Sequence, residues 1–146
     1  MFSELYICGE SEALSYLDVL QAAYEGLDDE APFAETDRCT YHNFSHQSIA
    51  ELLAVLAGGN ALELCDEFED LWSDGGCMIF SLPSQFEKSL SDLDSTKIPE
   101  LAETCSDEIL SANYEVSDYL EMLQELKALA LLAAKSNKKM FLLLFF

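Results

Sequence analysis

Basic residues are scarce in this chain: seven lysines and arginines face 28 aspartates and glutamates, for a formal charge of −21. Before Lys88 the only one is Arg38, set against 18 acids, a balance of −17. A cationic footprint for nucleic acid is excluded for that part of the chain, and direct nucleic-acid binding is not expected anywhere in it. Glycine and proline are also few, at 6 and 3, which excludes a linker-rich or repeat-built protein. The five cysteines, Cys8, Cys39, Cys65, Cys77 and Cys105, include no C-x-x-C pair and are odd in number. Neither a zinc ribbon nor a dithiol redox motif is offered, and reduced thiols in a cytoplasm are the economical reading. The opening MFSELYICGESEAL lacks the basic start and long apolar run of a secretory signal, which agrees with a cytoplasmic placement.

Long apolar runs are missing too. The ending KSNKKMFLLLFF holds seven uninterrupted apolar residues, 140–146, behind Lys135, Lys138 and Lys139. A helix crossing a bilayer needs about 20, so no membrane association is expected. Seven residues suit a strand, and apolar character on both faces predicts one covered on both sides.

What is present is a core. Half of the 146 residues are apolar and 11% are aromatic, enough for one packed domain over 1–146. Residues 2–8 predict a first strand. SEALSYLDVLQAAYEG predicts a helix with Ser11 as N-cap and Gly26 as stop. HQSIAELLAVLAGG predicts another, with Ile49, Leu52, Leu53 and Leu56 on one face. Ser48 with Glu51 forms a capping box there, and Ser45 is a rival start. ALELCDEFEDLWSDGG predicts a third helix burying Leu64, Cys65, Phe68, Leu71 and Trp72, stopped by Gly75-Gly76. CMIFSL predicts a strand ended by Pro83, and short helices follow in PSQFEKSLSDLD and STKIPELAETCSDEILSAN. The longest helix is expected over 118–136, capped by Ser117, with Asp118, Glu121 and Glu125 along one side. Its second half, ALALLAA, predicts burial all round, and the lysines after it complement the helix dipole. The expected fold is α+β or layered α/β: five to six helices on a small sheet that includes a buried C-terminal strand.

From Cys77 onward the order is apolar strand, proline, amphipathic helix, SDLDSTKIPELAETC, long helix, then KSNKKMFLLLFF. This pattern resembles small uncharacterised bacterial proteins, some of which sit beside toxin genes as immunity proteins. The resemblance covers 77–146 and implies a toxin-neutralising role; it brings no site residues with it.

Catalytic signatures are thin. Cys39, His42 and His46 give C-x2-H-x3-H, ligands that zinc would accept or a thiol–imidazole pair for a small hydrolase, and no fourth ligand is evident. Phosphate-binding glycine patterns are missing, because Gly58-Gly59 and Gly75-Gly76 follow expected helices rather than precede them. No D-x-D-x-D-G calcium loop occurs. The chain is read as a non-enzyme with no cofactor and no metal.

Two acidic clusters remain. Glu25, Asp28, Asp29, Glu30, Glu35 and Asp37 surround Phe33, a candidate aromatic anchor; Glu63, Asp66, Glu67, Glu69, Asp70 and Asp74 lie in the expected third helix. On that helix Glu63/Glu67 and Asp66/Asp70 would be repelling neighbours one turn apart. A solvated face is the plain reading, and a docking surface for a basic protein is the functional one. The expected function is an immunity or antitoxin-type inhibitor of a basic toxin. The alternatives are a phage-type mimic of DNA charge aimed at a host nucleic-acid-binding protein, and the Cys39/His42/His46 hydrolase.

Overall fold

The computed structural model describes residues 1–15, 18 and 37–146. The helix expected from Ser11 to Gly26 falls mostly outside them, and Ser11 itself sits inside a 3-10 turn, Glu10–Glu12, whose N-cap is Gly9. In chain order the elements are β1 (Phe2–Cys8), β2 (Arg38–His42), α1 (His46–Ala57), α2 (Ala61–Cys65), β3 (Glu69–Ser73), β4 (Cys77–Ser81), α3 (Ser84–Ser91), α4 (Ile98–Glu108), α5 (Val116–Ser136) and β5 (Lys139–Phe145). The five strands order as β2-β1-β5-β4-β3, and every pairing is antiparallel. The fold is therefore α+β, with five helices among the described residues.

The apolar tail is the middle strand. β5 pairs with β1 from Phe2↔Phe145 to Cys8↔Lys139, and with β4 from Cys77↔Phe145 to Ser81↔Phe141. Alternation along it feeds two cores. Met140, Leu142 and Leu144 join Leu5, Ile7, Phe80 and the helices on one face. Phe141 and Leu143 meet Tyr6, Cys8, Cys77, Ile79 and Ala13 on the other. The strand is buried on both sides, as its composition predicts. Asn137 turns the chain from α5 into β5 in the left-handed conformation (φ 54°), so the Lys138 amide can bond back to Ala133 O.

Several local expectations change. The third helix ends at Cys65 rather than Gly76; the chain turns through Asp66–Phe68 and pairs as β3 against β4. The cause is electrostatic as well as steric. Asp66 and Glu67 would have extended the negative end of the helix dipole with no cation to offset them. Asp74-Gly75, with strand-forming residues on either side, is a hairpin turn: Gly75 adopts φ 67° and the Asp74 carboxylate accepts from the Gly76 and Cys77 amides, both at 3.1 Å. The predicted like-charge pairs one helical turn apart therefore do not form, since Glu67 lies past the helix and Asp70 is on a strand.

At α1 the cap is Ser45, with Ser48 completing the box, and not Ser48 with Glu51. Glu51 instead reaches the amide and hydroxyl of Ser111, at 3.1 and 2.6 Å. α5 starts two residues before the expected 118 and is capped by Glu115, whose amide bonds Asp118, rather than by Ser117. Its ALALLAA segment is not buried all round: Leu129, Ala130 and Ala133 are, whereas Ala128 and Ala134 are exposed and Leu131 is 47% exposed. One face of a helix lying on a sheet is enough to account for this pattern. No helix among the described residues is long and apolar enough to cross a membrane.

Candidate functional site

The predicted acidic residues separate into three groups. Asp28, Asp29, Glu30, Phe33 and Glu35 lie outside the described residues. Asp37 does not offer a free charge: its carboxylate pairs with Lys138 at 3.2 Å and ties the entry of β2 to the end of α5. Glu63, Asp66, Glu67, Asp70 and Asp74 are all exposed, with Glu69 between them. Asp74 is occupied by its turn. The others carry no ion pair among the described residues, where the bridged carboxylates are those of Glu4, Asp37 and Glu10.

The local fold explains this exposure. α2 is a single short turn of helix, capped by Asn60, that buries only Leu64, so Glu63 faces out. β3 is an edge strand whose register shifts between Asp70 and Trp72. The extra residue, Leu71, lets it and Trp72 both pack on the face around Phe141, while Glu69 and Asp70 stay in solvent. Charge and a bulge together guard this edge against pairing with another strand.

A second acidic surface lies at the opposite edge. β2 runs beside α5, and two adjoining cavities of about 460 and 580 Å³, sharing Thr40 and Glu125, form a groove between them. Asp118, Glu121 and Glu125 line it from the helix, and Ala128, Leu129 and Leu132 form its apolar stretch. The three acids are legible in the sequence on one side of the helix, whereas β2 is not, because the alternation in RCTYH spans only Cys39 and Tyr41. Tyr41 is the strut of the groove: nearly buried, it donates its hydroxyl to Glu125 Oε2 at 3.0 Å. Burial pushes its phenol far above its ordinary value, so it remains a donor at any working pH. At one end the Tyr114 hydroxyl donates to the carbonyl of His42 at 2.5 Å. Tyr114 is held there by a stacked Phe44, at 5.7 Å between ring centroids, and by a tilted Tyr119 at 5.7 Å.

Cys39, His42 and His46 are not brought to one point. Cys39 packs against the helix-side core, the next residue but two on β2, His42, is exposed, and His46 begins α1 stacked on Phe80 at 5.5 Å. Among the described residues no three His, Cys, Asp or Glu side chains are grouped to hold a metal ion. Burial pushes the thiol of Cys39 up to about 11 and those of Cys8 and Cys105 up to about 12, which leaves little thiolate for nucleophilic work.

Glu4 is the one carboxylate buried among the described residues, 2% exposed, with the Arg38 guanidinium 3.6 Å away. That distance makes an ion pair but no hydrogen bond, and Oε1 has no hydrogen-bond partner. Burial therefore wins over the arginine and raises the Glu4 carboxyl. Arg38, the sole base before Lys88, is paired with Glu4 and also lines the groove that Glu125 enters from the helix. No protein-family model matches the chain, and neither a curated protein nor a solved structure matches it.

Proposed function

We propose that this chain is a non-enzymatic binding protein that neutralises a basic protein partner, as immunity and antitoxin proteins do. The observation that carries the reading is the α2–β3 surface. Glu63, Asp66, Glu67, Glu69 and Asp70 stand exposed within eight consecutive positions, and none of them has an ion pair among the described residues. Leaving such charges unpaired stabilises nothing in the monomer. A basic partner would be steered to them from beyond contact range, and the same field would reject acidic competitors. The resemblance of 77–146 to immunity proteins adds to this reading, and the low thiolate content of the buried cysteines gives no competing chemistry. A toxin and a host nucleic-acid-binding protein are both basic, and the neighbouring gene separates the two.

The test is capture of partners from the native host on the immobilised parent protein and on a variant carrying Asp66→Lys and Asp70→Lys. A basic protein retained by the parent and lost from the variant supports the reading. Equal retention by both, or no basic protein on either, contradicts it.

A further inference from the structure

We propose that the edge of β2 left unpaired among the described residues, with the groove beside it, accepts an extended lysine- or arginine-rich segment of a protein partner as an added strand. The inference rests on the reading above, that a basic protein is bound, and adds where and how.

The backbone of β2 sets the geometry. In an antiparallel ladder, residues alternate between those bonded to the neighbouring strand and those whose N–H and C=O point away from it. The Asn43 amide donates to the Met1 carbonyl at 3.1 Å, continuing the register Phe2↔His42. Parity then turns the main-chain groups of Tyr41 and Cys39 toward β1, and those of His42, Thr40 and Arg38 toward the groove. Two further bonds agree. The Ser3 hydroxyl reaches the Tyr41 carbonyl on the β1 side at 3.1 Å, and the Tyr114 hydroxyl reaches the His42 carbonyl from outside. Tyr114 thus supplies at His42 the donor that a further strand would supply. Thr40, two residues back, lines both cavities and is exposed.

The two edges of the sheet differ. β3 is guarded by Glu69, Asp70 and a bulge, whereas β2 has no acid, no lysine, no proline and an unbroken register; its one charged residue, Arg38, is paired with Glu4. Beside it the groove offers the apolar Ala128, Leu129 and Leu132 at the end where Arg38 also lines it, followed by three acids, Glu125, Glu121 and Asp118. A strand laid there would place alternate side chains against the helix, where apolar and cationic groups meet complementary surface. Self-pairing of two β2 edges is opposed by the charge of −21 on each copy.

The probes are synthetic peptides of about seven residues, a common strand length, alternating Lys or Arg with Val, Leu or Thr. Binding is followed by fluorescence anisotropy and by amide hydrogen exchange. At least one peptide should bind below about 1 mM and slow exchange at Arg38, Thr40 or His42. Two N-methylated versions of it, each blocked along one edge, should differ: one loses at least about tenfold in affinity and the other does not. Ala128→Trp, an exposed position that fills the groove, should abolish binding, and Asp66→Lys with Asp70→Lys should leave it within about twofold at physiological salt. No peptide binding, equal behaviour of the two methylated versions, or binding that survives Ala128→Trp overturns the groove. Loss in the Asp66/Asp70 variant alone also overturns it, while leaving the broader reading in place. Peptide binding at the groove without any captured basic protein overturns the broader reading instead.

Discussion

Removing residues 140–146 should abolish folding, and the structure says why so short a tail has so large an effect. Met140, Phe141, Leu142, Leu143 and Leu144 are each at most 1% exposed. Burying side chains of this kind contributes about 1.5–3 kcal/mol apiece, or roughly 7–15 kcal/mol for the five. A domain of this size has about 5–15 kcal/mol of stability in total. The strand also joins β1 to β4, so its loss divides the sheet into a β2–β1 half and a β4–β3 half. A graded version is Leu142→Ala, which should cost about 2–5 kcal/mol because Leu142 is fully enclosed between the sheet and the helices. Leu131→Ala, at a position 47% exposed on α5, is the control and should change stability by no more than about 0.5 kcal/mol. The assay is urea unfolding followed by far-UV and near-UV circular dichroism. A truncated chain that stays soluble and unfolds cooperatively at the parent's midpoint would refute the argument, as would equal costs for Leu142→Ala and Leu131→Ala.

Three other predictions concern local features. Burial raises the Glu4 carboxyl above its ordinary value of 4.5, so the folded state holds that proton more tightly than the unfolded chain. Relative to Glu4→Gln, the parent should lose stability as pH rises from about 4.5 through the raised folded value, then level off; a difference independent of pH would contradict this. All five cysteines are free, so the melting temperature should be the same with and without reductant, and Cys105 should react with a maleimide only when denaturant is added. A fall in melting temperature on reduction would contradict the first point, and rapid native labelling of Cys105 the second. Asp74→Ala removes the acceptor for two turn amides and should cost about 1 kcal/mol in urea unfolding, with exchange of the Gly76 and Cys77 amides accelerated; unchanged exchange would mean the turn does not depend on that carboxylate.

The elements that the sequence made legible are those whose pattern has one interpretation. Seven apolar residues behind three lysines cannot cross a bilayer, so β5 was predictable with its burial on both faces from Met140 to Leu144, although Phe146 falls outside the strand and is 67% exposed. The region 61–76 had two interpretations. Leu64, Phe68, Leu71 and Trp72 recur at helical spacing, and the bulge that puts Leu71 and Trp72 on one face erases the alternation by which a strand is recognised. The Asp74-Gly75 turn was the available sign, outweighed by the periodicity. β2 was hidden for a different reason: a five-residue edge strand takes its stability from pairing with β1, and little from its own composition. With β2 unseen, the groove beside it could not be anticipated, although Asp118, Glu121 and Glu125 could. The acids at 63–70 were legible as a group because exposure of carboxylates with no local cation follows from composition alone.

The most direct test of the account is the rate at which the parent and the Asp66→Lys, Asp70→Lys variant associate with the captured basic partner. Both rates are measured at ionic strengths of about 0.01 M and about 0.15 M, over which the screening length falls from about 30 to about 8 Å. If the exposed acids of α2 and β3 steer the encounter, the parent's association rate falls steeply with salt, the variant's is lower at low salt and depends on it less, and dissociation changes little in either. Association rates that coincide for the two proteins at both ionic strengths would contradict it, and those acids would then be solvated surface and nothing more.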